Sequence, residues 1–285
     1  MSEYRILMSV KELQQQVDRA DIAIIDARFE LTDPAAGRRS YREGHIPGAV
    51  FLDLDEDLAG PSGPLTGRHP LPDVAAISTT LGQLGIGNDS TVVVYDAGNG
   101  AIAARAWWVL RWLGHKQIRL LDGGLAAWLG AGGDLESGQG SAHATTYRGD
   151  PRPDLILTTD ELAADVDGIP DRRLVDARDR ARFRGEVEPI DPVAGHVPGA
   201  INLPFSELVT PEGPWLPPAE RQARLGVTLG DDRDRAWAVM CGSGVTACHV
   251  AIAGLEAGYV EPRLYVGSWS EWIRDPERPV SVGEG

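Results

Sequence analysis

Cysteine can carry a transferable group on its sulfur, and this chain has two cysteines, Cys241 and Cys248. Cys241 ends the apolar run Ala238-Val239-Met240 and opens the Gly-rich stretch CGSGVTACHV, residues 241–250. A cysteine kept for packing needs no such turn, whereas one that must present a thiolate does. A strand, then Cys-Gly-Ser-Gly-Val-Thr, then a helix would curl successive backbone N–H groups around the sulfur. The positive end of a helix starting near Val245 or Thr246 would add to them. Gly242 and Gly244 are expected to take the positive φ angles that such a curl requires. Cys241 is therefore the candidate nucleophile, and Gly242, Ser243, Gly244, Val245 and Thr246 form the candidate anion cradle. Thr246 is placed to cap the helix or to hydrogen-bond the sulfur, capping being the commoner use. Cys248 reads as a small residue on the helix's inner face. His249 would lie roughly 12 Å along the helix from Cys241, too far to activate it.

The elements that must position this loop occur twice. SVKELQQQVDRADIAIIDAR from Ser9 is echoed by TTDELAADVDGIPDRRLVDAR from Thr158, and each opens with a capping box, Ser9 with Glu12 and Thr158 with Glu161. GHIPGAVFLDL from Gly44 answers GHVPGAINLPF from Gly195, and TVVVYDAGNGAIAARAWW from Thr91 answers AWAVMCGSGVTACHVA from Ala236. LLDGGLAAW from Leu120 answers LYVGSWSEW from Leu264. Landmarks kept in order and spacing mean a duplicated domain. Each copy alternates short strands with helical patterns, which predicts an α/β fold with a mainly parallel sheet flanked by helices. The boundaries read as 1–138 for the first domain, 139–155 for a Gly-, Ser- and Pro-rich linker and 156–285 for the second. In such folds ligands bind beyond the carboxyl ends of the strands, which is where Cys241 falls.

Composition narrows the function. A chain of 285 residues has the length of two domains. A formal net charge of −15 argues against nucleic acid, and an anionic substrate would need positive charge supplied locally. No apolar run approaches a membrane span, and the opening MSEYRILMSVKELQQQV has no leader-like pattern, so a cytoplasmic protein is expected. The cysteine spacing fits no common zinc motif.

The CGSGVTA loop and the paired GHIPGA and GHVPGA turns resemble those of two-domain rhodanese-type sulfurtransferases, over nearly the whole chain. The loop is most like that of the mercaptopyruvate type; thiosulfate-preferring relatives carry basic residues at its second and third positions. The resemblance implies two tandem rhodanese-like domains, the first an inactive copy and the second catalytic. The sequence agrees, because Asp96 stands where Cys241 does, and a carboxylate cannot hold a transferable sulfur. It implies that Cys241 takes a sulfur from 3-mercaptopyruvate or thiosulfate as a persulfide, then yields it to a thiol such as thioredoxin or glutathione, or to cyanide. No metal or organic cofactor is implied. Arg182 matches the family's donor-binding arginine, ahead of Arg178 and Arg184. A second arginine, nine residues on in mercaptopyruvate enzymes, is Asp191 here, so loop and arginine point to different donors. Ser243 and His45 match a proposed proton relay, although the equivalence of His45 and His196 favours a shared structural task before Pro47 and Pro198. Trp269 is expected to wall the pocket or to join the core, and Trp107 and Trp108 to be core or packing between the halves.

Two other classes are expected to fit less well. A phosphatase or arsenate reductase loop needs an arginine where this chain has Ala247. A non-catalytic, sulfur-binding regulatory module suits the first copy, but the intact loop of the second argues against it there.

Overall fold

The structure is a computed structural model that describes residues 5–284 except 141 and 169–171. The first residues of the opening MSEYRILMSVKELQQQV, where no leader was expected, and one position of the expected linker thus lie outside the described residues. The chain forms two compact units. The first comprises Met1–Gly60, Leu71–Arg152 and Pro211–Trp215, and the second comprises Pro61–Pro70, Pro153–Thr210 and Leu216–Gly285. Two short segments are therefore assigned to the unit opposite to their place in the sequence. The expected linker belongs largely to the first unit. The Thr145 N–H donates to the Gly82 carbonyl, and those of Asp150 and Arg152 to Leu113 and Trp112.

The first unit holds β1 (Leu7–Met8), α1 (Val10–Gln14), β2 (Ile22–Asp26), α2 (Ala36–Glu43) and β3 (Val50–Phe51). It continues with α3 (Val74–Gln83), β4 (Thr91–Tyr95), α4 (Ala101–Trp112), β5 (Ile118–Leu121) and α5 (Gly124–Gly130). The second repeats the plan with β6 (Ile156–Leu157), α6 (Thr159–Asp167), β7 (Arg173–Asp176), α7 (Arg180–Phe183) and β8 (Ile201–Asn202). Then come α8 (Pro218–Leu229), β9 (Trp237–Met240), α9 (Ala247–Glu256), β10 (Arg263–Tyr265) and α10 (Ser268–Trp272). The strand orders are β1-β5-β4-β2-β3 and β6-β10-β9-β7-β8, and every ladder within them is parallel. These are the two α/β sheets that the repeat predicted.

The central strands, TVVVY in β4 and WAVM in β9, are almost wholly buried because helices cover both faces of a parallel sheet. In the second unit Leu174, Phe183, Met240, Trp269 and Trp272 share one core cluster. Both capping boxes form, at Ser9 with Glu12 and at Thr158 with Glu161.

Each Asp-Ala-Arg strand end closes the same staple. Arg178 binds Asp176, donates from Nη2 to the Gly195 carbonyl at 2.7 Å and lies 4.6 Å over the Trp269 ring. Arg28 does the same with Asp26 and the Gly44 carbonyl. The matched arginines of the two repeats tie strand ends to the following turns.

Candidate active site

β9 is the middle strand of its sheet, with Val239 beside Val175 on one side and Leu264 on the other. Its carboxyl end delivers Cys241 into the loop, where the residue is buried at 2 % exposure. Three backbone-level contacts fix it. The Cys241 N–H donates to Ser268 Oγ at 3.1 Å, Trp269 N–H donates to the Cys241 carbonyl at 3.0 Å, and Ser270 N–H donates to the Gly242 carbonyl at 2.9 Å. Ser268 is the one described non-glycine residue with positive φ, at 53°. The start of α10 thus clamps the loop from outside.

Of the two loop glycines only Gly244 takes positive φ, at 76°. A Cβ there would also sit 2.5 Å from the Val266 carbonyl oxygen, so the position has room for glycine alone. Gly242 serves differently from expectation: a Cβ there would lie 2.8 Å from Nη2 of Arg68 and 3.6 Å from Nη2 of Arg182. Its backbone is bare so that guanidinium groups can come close. Helix α9 starts at Ala247 with Thr246 as its N-cap, and its first turn opens with Cys248 N–H donating to Val245 O and His249 N–H to Thr246 O. Thr246 holds the N-cap position but makes no side-chain cap bond, so the expected capping role is not taken up.

Ser243 is buried and shares a 2.8 Å hydrogen bond with Nδ1 of His69, itself buried. His45 makes other contacts. Its Nδ1 lies 2.7 Å from the Tyr41 carbonyl, its ring stacks on Tyr41, and its backbone bridges Glu136. His196 repeats this with the Phe183 carbonyl, the Phe183 ring and Ser281. The repeat symmetry had pointed to this shared structural task.

His69 and its neighbour Arg68 were missed in the sequence. They lie on a long stretch without helix or strand between β3 and α3, rich in Gly and Pro, where an Arg-His pair in an acidic chain was the available signal. The segment is pinned within the second unit. Gly67 N–H donates to Glu271 Oε2 and Arg68 N–H to Ser270 Oγ, each at 3.1 Å. A Cβ on Gly67 would lie 2.4 Å from the Gly267 carbonyl oxygen, so this approach also requires glycine.

Arg182 projects from α7 into the same cluster. It binds Glu188 at 2.7 Å and Asp191 at 3.2 Å, and Asp191 also pairs with Arg68. Burial pushes the Asp191 carboxyl above the usual carboxylate range, against the pull of Arg68 and Arg182. Burial acts on Glu188 in the same sense, but Arg182 and the Asp191 and Ile190 amides outweigh it and lower that carboxyl. Of the other candidates, Arg178 is committed to its staple, and Arg184 pairs with Glu186 and Glu284.

Trp269 is fully buried and donates from Nε1 to the Val193 carbonyl, which makes it core. Trp107 and Trp108 are buried in the first unit. Cys248 is buried with its thiol on the Gly244 carbonyl, and His249 meets the Phe205 ring edge-on at 5.6 Å.

The first unit holds the same kind of loop with Asp96 at the strand end. Its carboxylate accepts from the N–H groups of Gly98 (2.9 Å), Gly100 (3.0 Å), Ile102 (3.0 Å) and Ala103 (3.2 Å). This turn of the fold therefore gathers an anion by backbone donors alone.

Among the described residues no helix is long and apolar enough to cross a membrane. The family model of the rhodanese-like domain matches twice, over residues 9–131 and 158–275. A Pseudomonas aeruginosa protein, provisionally called a 3-mercaptopyruvate sulfurtransferase, is 48% identical over 280 residues, covering 98% of each chain. SseB of Mycobacterium tuberculosis, provisionally called a thiosulfate sulfurtransferase, is 42% identical over 283 residues, again 98% of each. The crystal structure of SseA from Escherichia coli, described with the rhodanese fold and mechanism of the 3-mercaptopyruvate enzymes, superposes with a TM-score of 0.82 at 34% identity, covering 94% of this chain and 100% of that one. Two rhodanese-like domains, two parallel sheets and a cysteine loop at the central strand's end lead to one conclusion: the chain belongs to the rhodanese family and is a two-domain sulfurtransferase.

Proposed function

We propose that Cys241 carries the sulfur as a persulfide in the second, catalytic copy, and that 3-mercaptopyruvate is the preferred donor. The observation that carries the donor choice is the Ser243–His69 hydrogen bond next to Cys241 in the loop. The Cys241 thiolate attacks the donor's thiol sulfur, the carbon–sulfur bond breaks, and its electron pair leaves as pyruvate enolate. That carbanion equivalent needs a proton, which Ser243 relays with His69 acting as acid–base partner. With thiosulfate the sulfur–sulfur bond breaks and sulfite departs as a stable anion, so the relay would be idle. Splitting the transfer into two displacements is what a covalent intermediate achieves.

The persulfide anion sits where Asp96 places its carboxylate in the other copy. The amides of Gly242, Ser243, Gly244, Val245 and Thr246 cradle it, and the Thr246 hydroxyl makes no capping bond that would compete. Arg182 orients the donor's carboxylate. A thiol such as thioredoxin or glutathione, or cyanide, then takes the outer sulfur and restores the thiolate.

Intact-protein mass spectrometry after brief incubation with each donor tests this. The wild type and Cys248→Ser should gain one sulfur atom, faster from 3-mercaptopyruvate, and Cys241→Ser should gain none. Loading of Cys241→Ser, or faster loading from thiosulfate, would overturn the corresponding part of the reading.

A further inference from the structure

Position 191 carries an acid where the resemblance leads one to expect a second donor-binding arginine, and the structure supplies a guanidinium from elsewhere in the sequence. Arg68 belongs to the pinned Pro61–Pro70 segment of the second unit. Its Nη2 lies 2.8 Å and Arg182 Nη2 3.6 Å from the same point, the missing Cβ of Gly242, one residue from the nucleophile. Two cations therefore flank the loop.

Their partners leave capacity unused. Asp191 bridges them, with Oδ1 on Arg68 Nη1 and Oδ2 on Arg182 Nη2. Glu188 holds the other edge of Arg182, from Nε and Nη2. The Nε–H of Arg68 is buried and meets no acceptor among the described residues. A buried charged donor without an acceptor is costly, and the oxygens of a bound anion would satisfy it. Counted formally with Arg178, which also reaches Glu188, and its partner Asp176, three guanidinium groups and three carboxylates leave the cluster neutral in a protein of net charge −15. A doubly charged donor finds less attraction here than it would beside two unopposed cations.

We propose that Arg68 is a second donor-binding residue, gripping the anionic end of the sulfur donor together with Arg182, and that Asp191 sets the preference for singly over doubly charged donors by neutralising one of these cations. This rests on the sulfur-transfer reading above. The ligand class is a small donor with one carboxylate, and thiosulfate is the dianion discriminated against. Removing one negative charge at Asp191 changes the local potential by a fixed amount, and a dianion feels it twice as strongly as a monoanion.

Steady-state kinetics with both donors provide the test, on wild type, Arg68→Ala, Arg68→Lys and Asp191→Asn, each checked by thermal melting. Arg68→Ala should raise KM for both donors by about 10-fold while kcat stays within about 3-fold, the pattern of lost ground-state binding. Arg68→Lys should recover part of that loss, because the charge remains but the planar fork does not. Asp191→Asn should lower KM for thiosulfate by the square of its effect on 3-mercaptopyruvate, about 9-fold against about 3-fold. Wild-type KM in folded Arg68→Ala, or equal effects of Asp191→Asn on both donors, would overturn the proposal while leaving the persulfide reading intact. A folded, reduced wild type that loads sulfur from neither donor would overturn both.

Discussion

At the scale of single residues, the site is made of groups that the chain brings together from very different distances. Cys241 stood out as the candidate because its signals are local: the apolar run, the glycines and the helix start are all neighbours in sequence. Ser243 was equally visible, but its partner was not, since His69 lies 174 residues away. No local pattern encodes such a pairing; it arises only once the Gly67 backbone packs against the Gly267 carbonyl. The pairing of His69 with Ser243 has a consequence that separates the donors. Only the pyruvate enolate needs a proton as it leaves, so His69→Asn should slow single-turnover loading from 3-mercaptopyruvate by about 100-fold. Loading from thiosulfate should change far less. Equal losses with both donors would assign His69 to holding the loop rather than to moving a proton.

At the scale of elements, most of the architecture was legible and the joints were less so. The capping boxes and the strand-to-helix alternation depend on side chains three or four residues apart, and both appear as read. Of the two roles open to Thr246, capping is not taken up, its backbone being already helical (φ −68°, ψ −18°) rather than extended as a side-chain cap prefers. The clamp from α10 was invisible, because nothing in VGSWSEW announces that Ser268 takes φ 53° to accept the Cys241 N–H. Its counterpart in the first unit is Gly124, at the same φ of 53°, so the geometry is one that the fold demands and glycine meets without strain. Ser268 accepts the strain and returns a hydrogen bond. Ser268→Ala should therefore lose about 2 kcal/mol of stability in urea unfolding, since the buried N–H is orphaned while the strain stays. Ser268→Gly should lose about 1 kcal/mol less. Identical losses would mean that no strain resides at this position.

At the scale of the whole molecule, the duplication gives two copies of one loop with different residues at the strand end. The first copy fills its ring of N–H donors with the Asp96 carboxylate, and on the reading proposed above the second keeps its ring for the sulfur on Cys241. Asp96→Ala should accordingly cost on the order of 3 kcal/mol in stability and leave sulfur loading of the folded protein unchanged. Cys241→Ser should do the reverse, and urea unfolding set beside intact-mass loading checks the pair. The repeat was readable from end to end; the reassignment of Pro61–Pro70 and Pro211–Trp215 between the units was not, since it follows from tertiary packing rather than from any composition shift. The bare backbone at Gly242 has one more implication, for how such a chain can change over generations. A side chain at 242 would press on Arg68 Nη2 at 2.8 Å, so a larger residue arriving there must push aside the tip of that guanidinium. Because that same guanidinium pairs with Asp191, a change at 242 is felt at 68 and 191 together, and the three positions are expected to vary as a set.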